Sequence, residues 1–178
     1  PTRRSSDLDP SLVGAGDGIS KGGRMSSKRE DETRADGISP ELDRLSAALM
    51  GDALDLLAAG EDVNVLLVAS DAKGNVASFS FSDDGIEECL EGARDKVREL
   101  AKAKGDAESG VGEPVRYAIT YVGAVADESG TYQDALLLEF GEKGYRSYSA
   151  YSYFKGKGTG EGFAWTDPAP AGELEPLL

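Results

Sequence analysis

Residues 63 to 81, Val-Asn-Val-Leu-Leu-Val-Ala-Ser-Asp-Ala-Lys-Gly-Asn-Val-Ala-Ser-Phe-Ser-Phe, decide the fold class. A run rich in β-branched residues from Val63 to Ser70 meets turn chemistry at Asp71-Ala72-Lys73-Gly74-Asn75 and returns as Val76 to Phe81, which reads as a β-hairpin. In the second arm Ala77, Phe79 and Phe81 share one face while Ser78 and Ser80 point the other way. That alternation belongs to a half-buried antiparallel strand.

Upstream, Ser39-Pro40-Glu41 supplies an N-cap, a proline at the first helical position and an acid in the first turn. Leu42, Leu45, Leu49, Ala53, Leu56 and Leu57 then recur at helical spacing, and Gly60 stands where a left-handed cap belongs. Downstream, Ser82-Asp83-Asp84 opens a second helix whose Ile86, Leu90, Ala93, Val97 and Leu100 keep the same period until Gly105. A Gly/Asp/Glu/Ser loop over 105–113 ends at Pro114. Three strands follow, Val115 to Val125, Tyr132 to Phe140 and Tyr145 to Phe154, with a short Phe163-Ala164-Trp165 segment as a further strand. The expected fold is therefore α+β, an antiparallel sheet of five or six strands with two helices packed on one face, in the order α-β-β-α-β-β-β.

This order is similar to that of roadblock and profilin-like domains, and fold analogy of that kind carries no function. A second resemblance rests on Tyr121-Val122-Gly123-Ala124-Val125 followed by Tyr132-Gln133-Asp134-Ala135-Leu136-Leu137-Leu138-Glu139. The segment from 115 to 154 resembles a hairpin of uncharacterised small bacterial α+β proteins. No activity attaches to that group, so the resemblance implies only the hairpin.

The ends of the chain read differently from its middle. Pro1 to Leu8 resembles a translated sequencing adapter, and Lys21-Gly22-Gly23-Arg24 before Met25 can be encoded by a purine-rich ribosome-binding site. Residues 1–24 are accordingly expected to be a non-native leader and 25–37 a disordered, charged arm. A single domain is expected over 38–166. Asp167-Pro168-Ala169-Pro170 is expected to stop regular structure, leaving 167–178 as a disordered tail.

Composition restricts the chemistry. The 178 residues include 19 basic and 33 acidic side chains, no histidine and one cysteine, for a formal charge of −14. Without histidine, neither a Ser-His-Asp nor a Cys-His nucleophile can be built. The charge disfavours nucleic acid and anionic membrane surfaces and favours a basic protein partner. The longest apolar run, Val65 to Ala69, is far short of the roughly 20 residues that span a bilayer. With Cys89 alone, the protein reads as cytoplasmic.

Four features remain as candidate sites. Asp83, Asp84, Glu87, Glu88 and Glu91 crowd the start of the second helix, where Asp84, Glu88 and Glu91 share a face that suits a hard cation. The same acids, opposed by Arg94, Lys96, Arg98, Lys102 and Lys104, also suit the helix dipole. Gly156 to Gly162 has the glycine content of a phosphate loop without the spacing of a Walker motif, and reads better as a flexible connection. Cys89 has Glu87, Glu88 and Glu91 nearby, which oppose a reactive thiolate. The last feature is aromatic. Tyr145, Tyr151 and Tyr153 share one strand parity, Tyr148 and Phe154 take the other, and Trp165 follows, so one face is open as a recognition platform.

The expected function is a non-enzymatic interaction or regulatory module that binds a protein partner through Tyr145, Tyr148, Tyr151, Tyr153 and Trp165. No catalytic residue, metal ligand or cofactor motif is assigned. The alternatives are an enzyme dependent on metal or carboxylates at the acidic helix start and an acidic inhibitor that mimics nucleic acid.

Overall fold

The computed structural model describes residues 33–178, so the expected leader over 1–24 and residues 25–32 of the expected arm lie outside the described residues. Helix α1 spans Pro40–Ala58, with the Ser39 hydroxyl accepting the Leu42 N–H at 3.0 Å and Glu41 and Asp43 in the first turn. Strands β1, Val65–Asp71, and β2, Val76–Phe81, form the expected hairpin. Gly74, at φ +91°, makes the tight turn between them. Helix α2 spans Ile86–Ala103, and Gly105–Asp106 (β3) with Val111–Gly112 (β4) makes a small ribbon after it. Strands β5, Pro114–Ala126, β6, Tyr132–Glu142, and β7, Ser147–Lys155, follow as a meander, and β8, Ala164–Trp165, and β9, Ala169–Leu174, complete the set.

The main sheet has seven strands in the order β2-β1-β5-β6-β7-β8, with β9 also paired to β7, and every pairing is antiparallel. The α+β class and the element order are those expected. One arrangement differs: the helices lie on opposite faces. Leu42 and Leu49 of α1 pack with Leu66, Val68, Ala118, Leu138 and Ala150. Cys89, Ala93 and Val97 of α2 pack with Val65, Leu67, Tyr117 and Ile119, the alternate positions of the same strands. A strand flanked by helices on both sides must be apolar at both parities, which is why Val65 to Ala69 is continuous.

The second difference lies at the C-terminus, where the expected structureless tail contains β9. Its Ala169 pairs with Tyr151 and its Glu173 with Tyr148, and the two prolines of the region are accommodated because β9 is an edge strand. Leu177 and Leu178 continue onto the apolar cluster under α2. The close of the expected arm is likewise tied down: Ala35 bridges Tyr145, with the Ala35 N–H on Gly144 O at 3.0 Å and the Arg146 N–H on Ala35 O at 2.9 Å.

Helix α2 ends without the glycine its geometry favours. Lys104 occupies the left-handed region at φ +59°, a conformation that costs a non-glycine residue roughly 1–2 kcal/mol. Lys104→Gly is expected to stabilise the protein by about 1 kcal/mol, less whatever freedom glycine adds to the unfolded chain. Urea unfolding checks this, and a destabilised variant would contradict it.

Candidate interaction surface

The aromatic strand proves to be largely core. Tyr151 is 0% exposed and Tyr153 7%, their rings meeting edge to face at 5.4 Å among Val125, Ala135, Ala169 and Ala171. Expected as part of an exposed platform, these two tyrosines are instead covered, because β9 brings its alanines against them. The Tyr153 hydroxyl donates to Ala126 O at 3.0 Å. Tyr148 lies on the opposite face, tilted against Phe140 at 6.2 Å, and its hydroxyl accepts the Gly37 N–H. Tyr145 is half-buried in the turn before β7, where its carbonyl accepts from Arg34. Trp165 stacks on Phe163 at 5.9 Å beside the C-terminal half of α1. The five residues are not brought together as one surface.

The glycine loop is fixed to the end of α1. The Gly158 N–H donates to Leu57 O at 2.9 Å, and Lys157 Nζ meets Asp62 at 2.6 Å. Gly60 and Gly158 approach so closely that a Cβ on Gly60 would lie 3.2 Å from the Gly158 Cα, and both residues have φ above +80°. The expectation of a flexible connection is corrected accordingly: the segment is a strap that closes the helix.

Two acids of α2, Glu91 and Asp95, are held by basic side chains of the same helix. Glu91 meets Arg94 and Arg98, each at 3.3 Å, and Arg98 meets Asp95 at 2.6 Å. Among the described residues, no group of three or more His, Cys, Asp or Glu side chains is placed to hold a metal ion. Cys89 is buried, its thiol donating to Asp84 O at 3.4 Å. Ile86, expected on the apolar stripe, is instead 48% exposed, and Cys89 takes a place in the core.

Glu139 belongs to none of the candidate sites expected from the sequence. It is 4% exposed and accepts from Arg94 at two points, Nε to Oε1 at 3.0 Å and Nη2 to Oε2 at 2.5 Å, with the Tyr121 hydroxyl adding a third contact at 3.3 Å. The Arg94 guanidinium is held well above its ordinary pKa by these bonds, and burial together with the Glu139 carboxylate pushes the Tyr121 phenol up. The signal was present: an acid interrupting Ala135-Leu136-Leu137-Leu138 must meet a partner when that strand is central.

Among the described residues, the outer edge of β2 is left open. The Asp71 N–H donates to Asn75 O, which fixes Asp71 and Asn75 as a hydrogen-bonded pair, and the register then makes Ala77 and Phe79 the residues that bond β1. Val76, Ser78 and Ser80 therefore aim their backbone N–H and C=O groups away from the sheet. All three are exposed, Val76 at 52%. No described strand pairs with them. The segment Val76 to Phe81 holds no charge and no proline, whereas β9 at the other end carries Pro170, Glu173 and a register shift. Charges, prolines and irregularities are how sheet edges are ordinarily blunted, and β2 lacks all three.

Asp71 anchors the hairpin that presents this edge. Its carboxylate accepts from Asn75 Nδ2 at 2.9 Å and Gly112 N at 2.7 Å, and from the N–H groups of Asn75 and Lys73, each at 2.9 Å. These bonds, the Asn75 side chain and Gly112 foremost, lower its pKa to about 2. The edge, its anchor and its exposed backbone together form the candidate surface. Comparison of the chain with family models, curated proteins and solved structures finds no match.

The depressed pKa carries a pH dependence. The unfolded carboxyl titrates near about 3.9, so the stabilisation from Asp71 is complete above about pH 4 and is lost as pH falls towards 2. Asp71→Asn is expected to destabilise the protein at pH 6 and to close most of that gap by pH 2.5. Denaturant unfolding at the two values measures it, and a gap that does not change would contradict the assignment.

Proposed function

We propose that the protein is a non-enzymatic interaction module of the cytoplasm that receives a strand from a protein partner on the outer edge of β2. The observation that carries this reading is the row of outward backbone groups at Val76, Ser78 and Ser80 on an uncharged strand. A partner strand added there would make main-chain hydrogen bonds for affinity, with Val76 and the serines on one face and the half-buried Phe79 and Phe81 on the other for specificity. The net charge of −14 favours basic segments flanking that strand. No helix among the described residues is long and apolar enough to cross a membrane. The reading moves the partner surface from the aromatic strand β7 to β2, since Tyr151 and Tyr153 are covered.

Site-specific photocrosslinking in cells tests it. A photoreactive residue at Ser80 is expected to give a covalent adduct that Ser78→Pro removes, because proline eliminates an outward N–H without touching the β1 ladder. Absence of any adduct, or an adduct indifferent to Ser78→Pro, would contradict strand reception.

A further inference from the structure

The edge of β2 is complementary to its own reverse. We propose that the strand it receives is β2 of a second copy, paired antiparallel about a two-fold axis at Ser78, an inference that rests on reading β2 as a strand-receiving edge. A two-fold axis perpendicular to an antiparallel ladder must pass between directly opposed residues, and a hydrogen-bonded pair needs outward backbone groups on both. Only Val76, Ser78 and Ser80 offer them within β2.

Centring on Ser78 is the choice that engages all three. Ser78 then faces Ser78 of the second copy, and Val76 faces Ser80 in both directions. Centring on Val76 or Ser80 leaves one or more of these groups unpaired. The Ser78 register also sets Ala77 opposite Phe79, so that the half-exposed Phe79 ring gains cover from the second copy. The same ring carries Lys96, whose Nζ lies 5.0 Å from the centroid.

The ends of the strand favour the same register through charge. Lys73, exposed in the hairpin turn just before β2, and Asp83, exposed just after it, are brought to the same end of the paired strands, and this juxtaposition occurs twice by symmetry. The net charge of −14 opposes association of two copies at long range. The Lys73–Asp83 pairs offset it where the chains touch, so association should be reversible rather than obligate. Small hydroxyls at the axis allow the strands to approach without steric conflict and can bond to one another.

Sedimentation velocity on the full chain, from micromolar to near-millimolar concentration, tests the pairing. The unmodified protein is expected to be a reversible dimer. Ser78→Pro is expected to raise the dissociation constant by about tenfold or more, the equivalent of two ordinary hydrogen bonds. Ser78→Lys, which sets two ammonium groups across the axis, does the same without a backbone constraint. Lys73→Glu and Asp83→Lys each weaken the dimer, and the double variant restores it, which fixes the register as well as the surface. A monomer over the whole range, or a dimer indifferent to both Ser78 variants and the charge exchange, would overturn self-pairing. A monomer whose Ser80 crosslinks go to another protein overturns this inference while leaving strand reception standing, and a monomer without crosslinks overturns both.

Discussion

Every strand carries two rows of backbone hydrogen-bonding groups, and the need to pair both rows organises this molecule. The long hairpin of β5 and β6 pairs from Arg116 with Glu142 to Ala126 with Tyr132, and β1 and β7 add to its two sides. Along β7 the outer row is divided between β8 and β9, two short strands that together cover what neither covers alone. At the other end the outer row of β2 meets no described strand. The asymmetry of the sheet's two ends is the basis of the functional proposal.

With a helix on each face, the sheet needs strands that are apolar in both directions, and β1, β5 and β6 supply them. In mid-strand on the α2 face of β6, this apolar character is interrupted by the buried Glu139. Breaking such a buried pair by removing one partner leaves an uncompensated charge, which is far costlier than the pair's own net contribution. The pair therefore fixes where α2 sits, although the partial exposure of Arg94 at 30% moderates the effect. With α2 placed, Cys89, Ala93 and Val97 cover β1 and β5, and Phe79 and Phe81 of β2 are drawn half under it.

Much of this was readable from local patterns. Ser39-Pro40-Glu41 marked the start of α1 to the residue, and Asp71 to Asn75 marked the hairpin turn, because capping and turn chemistry are decided by residues adjacent in sequence. The side of the sheet each helix takes is not legible in the helices themselves, since helical periodicity reports an apolar face without saying what it meets. The continuous run at Val65 to Ala69 held that information. Strand β9 was hidden by Pro168, Pro170 and Gly172, which break central strands but are tolerated on an edge. The parities of the β7 tyrosines are legible from strand alternation, Tyr148 on one face and Tyr151 and Tyr153 on the other. Their burial depended on Ala169 and Ala171, which no local pattern connects to Tyr151 and Tyr153.

The central claim is that one row of β2 amides is committed to β1 and the other is open to water or to a partner. Residue-resolved hydrogen exchange on the free protein in dilute solution tests this directly. The account predicts alternation along the strand, with fast exchange at Val76, Ser78 and Ser80 and slow exchange at Ala77 and Phe79. Uniformly slow exchange at the lowest measurable concentration would mean that the chain itself covers the edge, and would contradict the account.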